Sequence, residues 1–402
     1  MTRKLRLGEV INIKHGFAFP GEAFGENPRD PILVTPGNFA LGGGFRAAKP
    51  KTFSGSIPAG FILEPGSLII TMTDLSKAGD TLGLPAIVPG DGVYLHNQRI
   101  GLVEAISPTA ISLRFLAYYL RTNAYRSYVL STASGSTVRH TSPRRIAAFE
   151  AVLPELAEQR AIAEVLGALD DKIAANRSVA EVGEELLGAH FDRLGLDGED
   201  PDSLVPITSL IELNPLIPRP IEAEPVYVDM QALPTNGMCI SSWSSRPPKG
   251  GARFQNGDTL LARITPCLEN RKTGFVDFLA EGQVGLGSTE YVVMRTRKGV
   301  PPVLSYFLAV SERFRTFAIR HMVGTSGRQR VGADVLREYE IRLPGREELE
   351  RFGALSKQIA SMLASVRTEN QLLAETRDVL LPQLMSGRLR VKDAEKQVEA
   401  VV

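Results

Sequence analysis

Two stretches of the chain read as the same long helix, and neither can be covered by one small domain. The first begins within "LPELAEQRAIAEVLGALDDKI" (Leu153–Ile173) and runs from about Glu155 to Arg193, with Ile162, Leu166, Leu169 and Ile173 spaced 4, 3 and 4 residues apart. The second runs from about Arg346 to Met385, where Phe352, Ile359, Val366, Leu373 and Leu380 recur every seven residues and Leu355 and Met362 fill the alternate position. That is the pattern of a coiled-coil seam. Glu155 and Glu158 fall in the first turn of the first helix, where the macrodipole favours them, and Pro382 and Gly387 mark the end of the second. At 1.5 Å per residue, a helix of about 38 residues spans roughly 55 Å. The natural cover for its apolar stripe is the other helix, packed antiparallel. The bland alternative is two unrelated surface helices.

What precedes each helix is also written twice. "LRLGEVINI" (Leu5–Ile13) resembles "VPITSLIEL" (Val205–Leu213), with Leu7, Val10 and Ile13 opposite Ile207, Leu210 and Leu213. "PGSLIIT" (Pro65–Thr71) matches "NGDTLLA" (Asn256–Ala262), a turn followed by a buried strand. "RFLAYYLRT" (Arg114–Thr122) matches "PVLSYFLAV" (Pro302–Val310), both short helices, and "SGSTVRHTSPRRI" (Ser134–Ile146) matches "VGTSGRQRVGADVL" (Val323–Leu336). One order and an offset near 190 residues argue for duplication. Abundant Gly and Pro turns between short apolar runs make each repeat mixed α/β. The expected fold is therefore α+β. Two mixed α/β domains stand in tandem, each followed by a long helix, and the helices pair as an antiparallel coiled coil with pseudo-two-fold symmetry. The expected boundaries are 1–153 and 205–343 for the domains, 154–194 and 344–386 for the helices, 195–204 for a linker and 387–402 for a tail.

Composition narrows the class. Of 402 residues 43% are apolar and 23% charged, as in soluble globular proteins. No run of about 18 apolar residues suggests a membrane span, and "MTRKLRLGEVINIKHG" lacks the features of a signal peptide. Cys239 and Cys267 are the only cysteines and form no CxxC pair, which fits a cytoplasmic protein without a disulfide framework. The net charge of +1 conceals a segregation: residues 1–150 carry 16 Lys+Arg against 10 Asp+Glu, and 205–344 carry 17 against 13. The first helical block, 155–204, carries 4 against 13, and 345–402 carries 9 against 9. Two basic globular stretches point to nucleic acid more than the total does.

At these residues the chain resembles the specificity (S) subunit of type I restriction–modification systems. "LPELAEQRAIAEVLGALDDKIAANR" is similar to the family's central conserved region and "RDVLLPQLMSGRLRV" (Arg377–Val391) to its distal one. "GDTLGLPAIVP" (Gly79–Pro89) and "GSTVRHTSP" (Gly135–Pro143) are similar to pieces of its target-recognition domains. The resemblance implies two target-recognition domains, each reading half of a bipartite asymmetric sequence in double-stranded DNA, with the helices setting the unread spacer. It implies two methyltransferase subunits as partners and an endonuclease subunit that can join them. Through those subunits the complex would use S-adenosylmethionine, ATP and Mg2+, while this chain would hold no cofactor and catalyse nothing. In one departure, "LPGREELERFGALSKQI" lacks the Glu-Gln step of "LPELAEQRAIAEVL", so methyltransferase docking is expected to differ between the halves.

The paired loops are the first candidates for DNA contact. In one, Ser136, Thr137, Arg139, His140, Arg144 and Arg145 fall within ten residues. In the other, Thr325, Ser326, Arg328, Gln329 and Arg330 fall within six. Small hydroxyl and glycine residues let backbone amides approach phosphates; Arg can fork onto guanine and Gln onto adenine. The plainer reading is a solvated basic loop whose Ser-Pro starts the next helix. A second pair follows the repeated strands, with Lys77 in "TMTDLSKAGDTLG" and Arg263, Arg271 and Lys272 in "ARITPCLENRKTG". Gln98 and Arg99, beside Asn97, either read bases or cap a turn. "SSWSSRPPKGG" offers Arg246 and Lys249 on a loop, with Trp243 equally suited to anchoring a core.

Enzymatic motifs are missing. "LNPLIP" has Asn214-Pro215 followed by Leu216 and Ile217, not the Asn-Pro-Pro-aromatic tetrapeptide of a DNA methyltransferase, and "GNFALGGGF" lacks the GK[ST] of a P-loop. His15, His96, His140, His190 and His321 are scattered, and no H-E-x-x-H or G-x-S-x-G occurs. Asp170-Asp171 falls on the first long helix, where a solvated or subunit-facing role outweighs nuclease chemistry. An assembly protein with duplicated protein-binding domains is the rival reading; it predicts weak DNA affinity insensitive to salt. An autonomous nuclease or methyltransferase would be active as the isolated chain.

Overall fold

The computed structural model describes residues 2–46, 51–198, 203–325, 327–399 and 401. Its chain divides into two compact units. Unit one is Met1–Lys172 with Leu372–Val402, and unit two is Ile173–Gln371. The helices, in chain order, are α1 (Leu113–Tyr119), α2 (Asn123–Thr132), α3 (Pro143–Ala147), α4 (Leu156–Asp192), α5 (Leu304–Val310), α6 (Glu312–Arg320), α7 (Ala333–Leu336), α8 (Arg346–Met385) and α9 (Val391–Glu399). Among the described residues no helix is long and apolar enough to cross a membrane.

Unit one is centred on a four-stranded antiparallel sheet in the order Ile11–His15, Ile100–Ala105, Leu68–Thr71, Pro85–Ile87. A five-stranded sheet of short strands lies beside it in sequence and includes a parallel pair, Ile32–Leu33 with Tyr94–Leu95. Arg3–Arg6 pairs antiparallel with Glu150–Leu153 and ties the start of the domain to its end. Unit two repeats the plan. Its four-stranded sheet runs Ile211–Leu213, Tyr291–Thr296, Thr259–Ala262, Thr273–Phe275, and Leu204–Pro206 pairs with Glu340–Arg342. Its second sheet again holds one parallel pair, Val226–Val228 with Gly285–Gly287. The residues matched in sequence serve the same purpose in both: Leu7, Val10 and Ile13, and Ile207, Leu210 and Leu213, are all buried. The mixed α+β tandem fold expected from the repeats is the fold observed.

The long helices belong in part to each unit. In unit one Ile162, Leu166, Leu169, Leu373 and Leu380 are buried. The Asp170 carboxylate there accepts from the Tyr118 hydroxyl of α1 at 2.7 Å and from Arg377 of α8 at 2.7 Å, so it joins three helices. Its neighbour Asp171 pairs with Arg114 at 2.8 Å. In unit two Ile173, Phe352 and Ile359 are buried, with Leu187 and Phe191 among the same core side chains as Phe352 and Ile359. There Asn176 donates to Glu369 at 2.8 Å and to Asn370 at 3.1 Å, a Cβ on Gly183 would stand 2.9 Å from Met362, and Phe191 meets Phe352. As α4 ascends in number α8 descends, so the pair is antiparallel. Gly183 supplies the space for that close approach.

Three details differ from the sequence reading. Val366 is only half-buried although it keeps the seven-residue spacing, because the helix buries its stripe against a globular domain as well as against its partner helix, and the two directions do not share one period. Pro382 lies inside α8, where it removes the amide hydrogen bond to residue 378, and only three helical residues follow it. The helix ends at Met385, and just past it Gly387, at φ 69°, donates its amide to the Leu384 carbonyl at 3.1 Å. The expected tail contains α9, which buries Ala394 and Val398, four residues apart on one face.

One buried charge gives a pH-dependent handle. Glu184 of α4 accepts from the Met238 amide at 3.0 Å within unit two. Burial pushes its carboxyl up to about 6, and nearby Glu181 adds to this against the stabilising amide. The fold thus favours the protonated acid, and this part of the stability is lost as pH rises through about 6. We expect Glu184→Gln, which keeps an acceptor for Met238, to stabilise the chain by about 1–2 kcal/mol at pH 8. It should be neutral near pH 4.5, as urea titrations at the two pH values would read.

Candidate nucleic-acid interface

Three loops of unit one are held side by side by backbone bonds at one end of the four-stranded sheet. Ser134 and His140 exchange both main-chain hydrogen bonds, at 3.0 and 2.8 Å, and close the loop between them. Gly135, at φ 92°, makes that closure possible, since a Cβ there would lie 2.0 Å from the Val138 carbonyl oxygen. The strand Arg139–His140 then pairs with Thr73–Asp74. Thr141 donates to the Met72 carbonyl at 3.0 Å, and Met72 donates to the Arg99 carbonyl at 2.9 Å. Residues 97–99, 72–81 and 134–141 therefore form one continuous frame.

Side chains below the frame shape it. The Asp74 carboxylate accepts from the Ser76 amide at 2.6 Å and from the Thr81 amide and hydroxyl at 2.5 and 2.8 Å. Burial opposes its charge, but these hydrogen bonds outweigh it and hold the carboxyl below its ordinary value. Arg126, from α2, donates to the carbonyls of Leu82, Gly79 and Asp80. Arg145 donates to the Ser134 hydroxyl at 2.9 Å and the His140 carbonyl at 3.4 Å, and the His140 ring meets the Thr73 hydroxyl at 3.1 Å. Ser142 caps α3 and Pro143 opens it, so the Ser-Pro step starts a helix. Above the frame, Lys77, Gln98, Arg99, Ser136, Thr137, His140 and Arg144 are exposed. Arg139 is half-buried, and its Nε has no hydrogen-bond partner.

Unit two builds the same frame with other side chains. Val323 and Arg330 exchange both main-chain bonds at 2.9 Å, Val331 donates to the Arg263 carbonyl at 3.0 Å, and Arg263 donates to the Glu290 carbonyl at 3.0 Å. Arg315, from α6, repeats the part of Arg126 by donating to the carbonyls of Glu269 at 3.0 Å and Leu268 at 3.4 Å. Arg330 forks onto the Glu290 carboxylate at 2.8–3.0 Å, and Arg263 approaches the same carboxylate at 3.4 Å. The Arg330 hydrogen bonds hold the Glu290 carboxyl below its ordinary range despite burial. Lys272 donates to the carbonyls of Met230, Gln231 and Leu233 and so fastens two loops together. Thr325, Arg328 and Arg271 are exposed and Gln329 is half-buried, while Ser326 lies outside the described residues.

The structure therefore gathers Lys77, Gln98, Arg99 and the 136–145 set in unit one, and Arg263, Arg271, Thr325, Arg328, Gln329 and Arg330 in unit two. Arg145, Lys272, Arg263 and Arg330 are engaged by protein acceptors, so their first duty is to shape loops. Arg246 and Lys249 follow the edge strand Ser244–Ser245 of the second sheet. Arg246 covers the Tyr227 ring at 3.2 Å, and Trp243 stacks on Phe278 at 4.1 Å, an anchoring role. Sequence reasoning missed Asp74, Arg126, Arg315 and Glu290. The two arginines carried a signal, since they lie 189 residues apart on the matched helices α2 and α6; Asp74 and Glu290 carried none. Gln159 of the Glu-Gln step is buried and bonds Ser112, Ala110 and Pro154, which locks α4 to its own unit. Among the described residues no cluster of three or more His, Cys, Asp or Glu is placed to hold a metal ion.

One loop frame, built twice on matching sheets and fitted with divergent polar side chains, defines a tandem-domain protein with two equivalent loop faces. Residues 3–181 match the family described as type I restriction modification DNA specificity domain. The chain is 28% identical over 184 residues to the type I restriction enzyme EcoBI specificity subunit of Escherichia coli, covering 46% of this chain and 35% of that one. It is 26% identical over 202 residues to the EcoAI specificity subunit of the same organism, covering 48% and 34%. The matches thus span about a third of the length of those relatives. Its fold is similar to the crystal structure of a type I restriction-modification system S subunit from M. genitalium, with TM-score 0.55, 13% identity and 96% of each chain covered. Over residues 3–181 the chain is thus similar to type I restriction–modification specificity subunits, and it shares the fold of a solved S subunit.

Removing the Arg126 guanidinium leaves three loop carbonyls without their donor. Arg126→Ala should cost about 2–3 kcal/mol in urea unfolding. The gain in amide exchange should concentrate in residues 74–83, and a uniform gain across the unit would count against a local role.

Proposed function

We propose that this chain is the DNA sequence-specificity subunit of a type I restriction–modification complex. Its two domains would read the halves of a bipartite asymmetric site, and its paired helices would set the unread spacer and seat the methyltransferase. The observation that carries this is the duplicated frame with divergent outer side chains. A protein reading one half-site twice would keep the same groups at equivalent positions, whereas Arg99 stands in one unit where Glu290 stands in the other. The exposed groups suit the task, with arginines for guanine edges and phosphates, Gln98 for adenine, and hydroxyls and glycines for close backbone approach.

The helices offer a second kind of contact. In unit two Val179, Val182 and Leu186 of α4 are exposed at helical spacing, and in unit one Leu372 and Val379 of α8 are exposed seven residues apart. Exposed apolar stripes on a charged helix are the usual mark of a partner's seat. Two stripes on two repeats accord with two methyltransferase subunits. An endonuclease subunit would join through them, and S-adenosylmethionine, ATP and Mg2+ would be used by those partners, with this chain doing no chemistry. The place of action is the cytoplasm.

Methylome sequencing of the host with and without this gene tests the function. A split motif should disappear with the gene, and an unchanged methylome would refute it. Arg139→Ala should weaken binding through the first half-site by about 1–3 kcal/mol. An equal loss on random duplex would assign the residue to phosphate contact. Inserting one heptad into both long helices should lengthen the preferred spacer; an unchanged spacer would remove the helices from that role.

A further inference from the structure

The main-chain bonds fix which residues are equivalent in the two frames. Met72, Arg99 and His140 of unit one correspond to Arg263, Glu290 and Arg330 of unit two, since each trio makes the same strand-to-loop contacts. With His140 neutral, each trio sums to one positive charge, but the distribution differs. Unit one leaves Arg99 exposed. Unit two places an acid between two arginines. The Arg330 Nε and Nη2 are both given to Glu290, and its Nη1 donates to the Arg328 carbonyl at 3.1 Å. The Nε–Nη2 edge of that guanidinium is therefore taken by Glu290, and all three of its nitrogens already donate within the protein. Partly exposed ion pairs add little stability, so the cluster is better explained by what it does to the arginines. A free arginine on a DNA-facing loop takes whichever phosphate is nearest, which raises affinity for every sequence alike.

We propose that Glu290 is a specificity-determining residue of the second recognition domain, which withholds Arg263 and Arg330 from the DNA backbone and fixes the plane in which Arg330 is presented. The inference rests on the DNA-reading function proposed above. With Glu290 in place, discrimination by this domain falls to Arg328, Gln329 and Arg271. Neutralising it turns two engaged cations into two free ones. Glu290→Gln keeps the size and a hydrogen-bonding group but loses the charge that holds the fork.

The test uses the purified full chain and a random-sequence 30-base-pair duplex, with fluorescence anisotropy read from 50 to 200 mM KCl. Glu290→Gln should steepen the log–log salt dependence by about one to two and tighten random binding about tenfold at the lowest salt. Adding Arg263→Met, which installs the residue of the first frame, should return about half of the slope change. In the host methylome the variant should blur the second half-site while the first stays intact. An unaltered chain that binds, together with a variant whose slope and half-sites match it, would overturn this role for Glu290 and leave the DNA-reading function standing. An unaltered chain that binds no DNA at all would overturn both.

Discussion

An apolar stripe along a helix of about forty residues has to be covered, and the fold is organised by how that is done. α4 has 37 residues and α8 has 40. Each gives one part to unit one and the rest to unit two. Within a unit, then, the core is closed by the domain, by the near part of the helix that follows or precedes it, and by a part of the other helix. Asp170 marks the junction in unit one, where one carboxylate satisfies Tyr118 and Arg377 together. Neither partner alone would compensate the loss of its hydration so fully.

This arrangement makes the first unit strongly non-local. Leu373 and Leu380 are buried in a unit that begins near Leu5, so the unit is incomplete until the end of the chain is available. The second unit, Ile173–Gln371, is continuous. Loop closure over such a separation costs only slowly growing entropy, but it delays the contacts that reward it. The duplicated plan therefore yields two units of similar architecture and different folding logic.

The fold was legible because its evidence is periodic. A seven-residue stripe and a repeat offset near 190 survive divergence, as burial tolerates exchange of one apolar side chain for another: Leu7 for Ile207, Ile13 for Leu213. The helix ends were less legible, since Pro382 is tolerated in a last turn and α9 is too short to announce itself by period. The loops were legible as places but not as roles. Basic residues within ten positions of one another suggested a common face, yet Arg145 and Lys272 turn inward to carbonyls, and Arg263 and Arg330 turn to an acid 27 and 40 residues away. A side chain's free edge depends on what lies across the frame, and no spacing in the sequence encodes that.

If the two domains read different half-sites as proposed, one scaffold has to serve two readings. The frame is maintained by main-chain bonds, together with arginines from α2 and α6 that cap loop carbonyls, and none of these depends on the outward side chains. Exchange of Arg99 for Glu290 leaves the ladder unchanged. Recognition groups are therefore free to vary without a proportional loss of stability, because surface changes away from packed or hydrogen-bonded features cost little. A duplicated domain whose stability and specificity reside in different atoms can keep one fold while its halves diverge, which is what a reader of an asymmetric sequence requires.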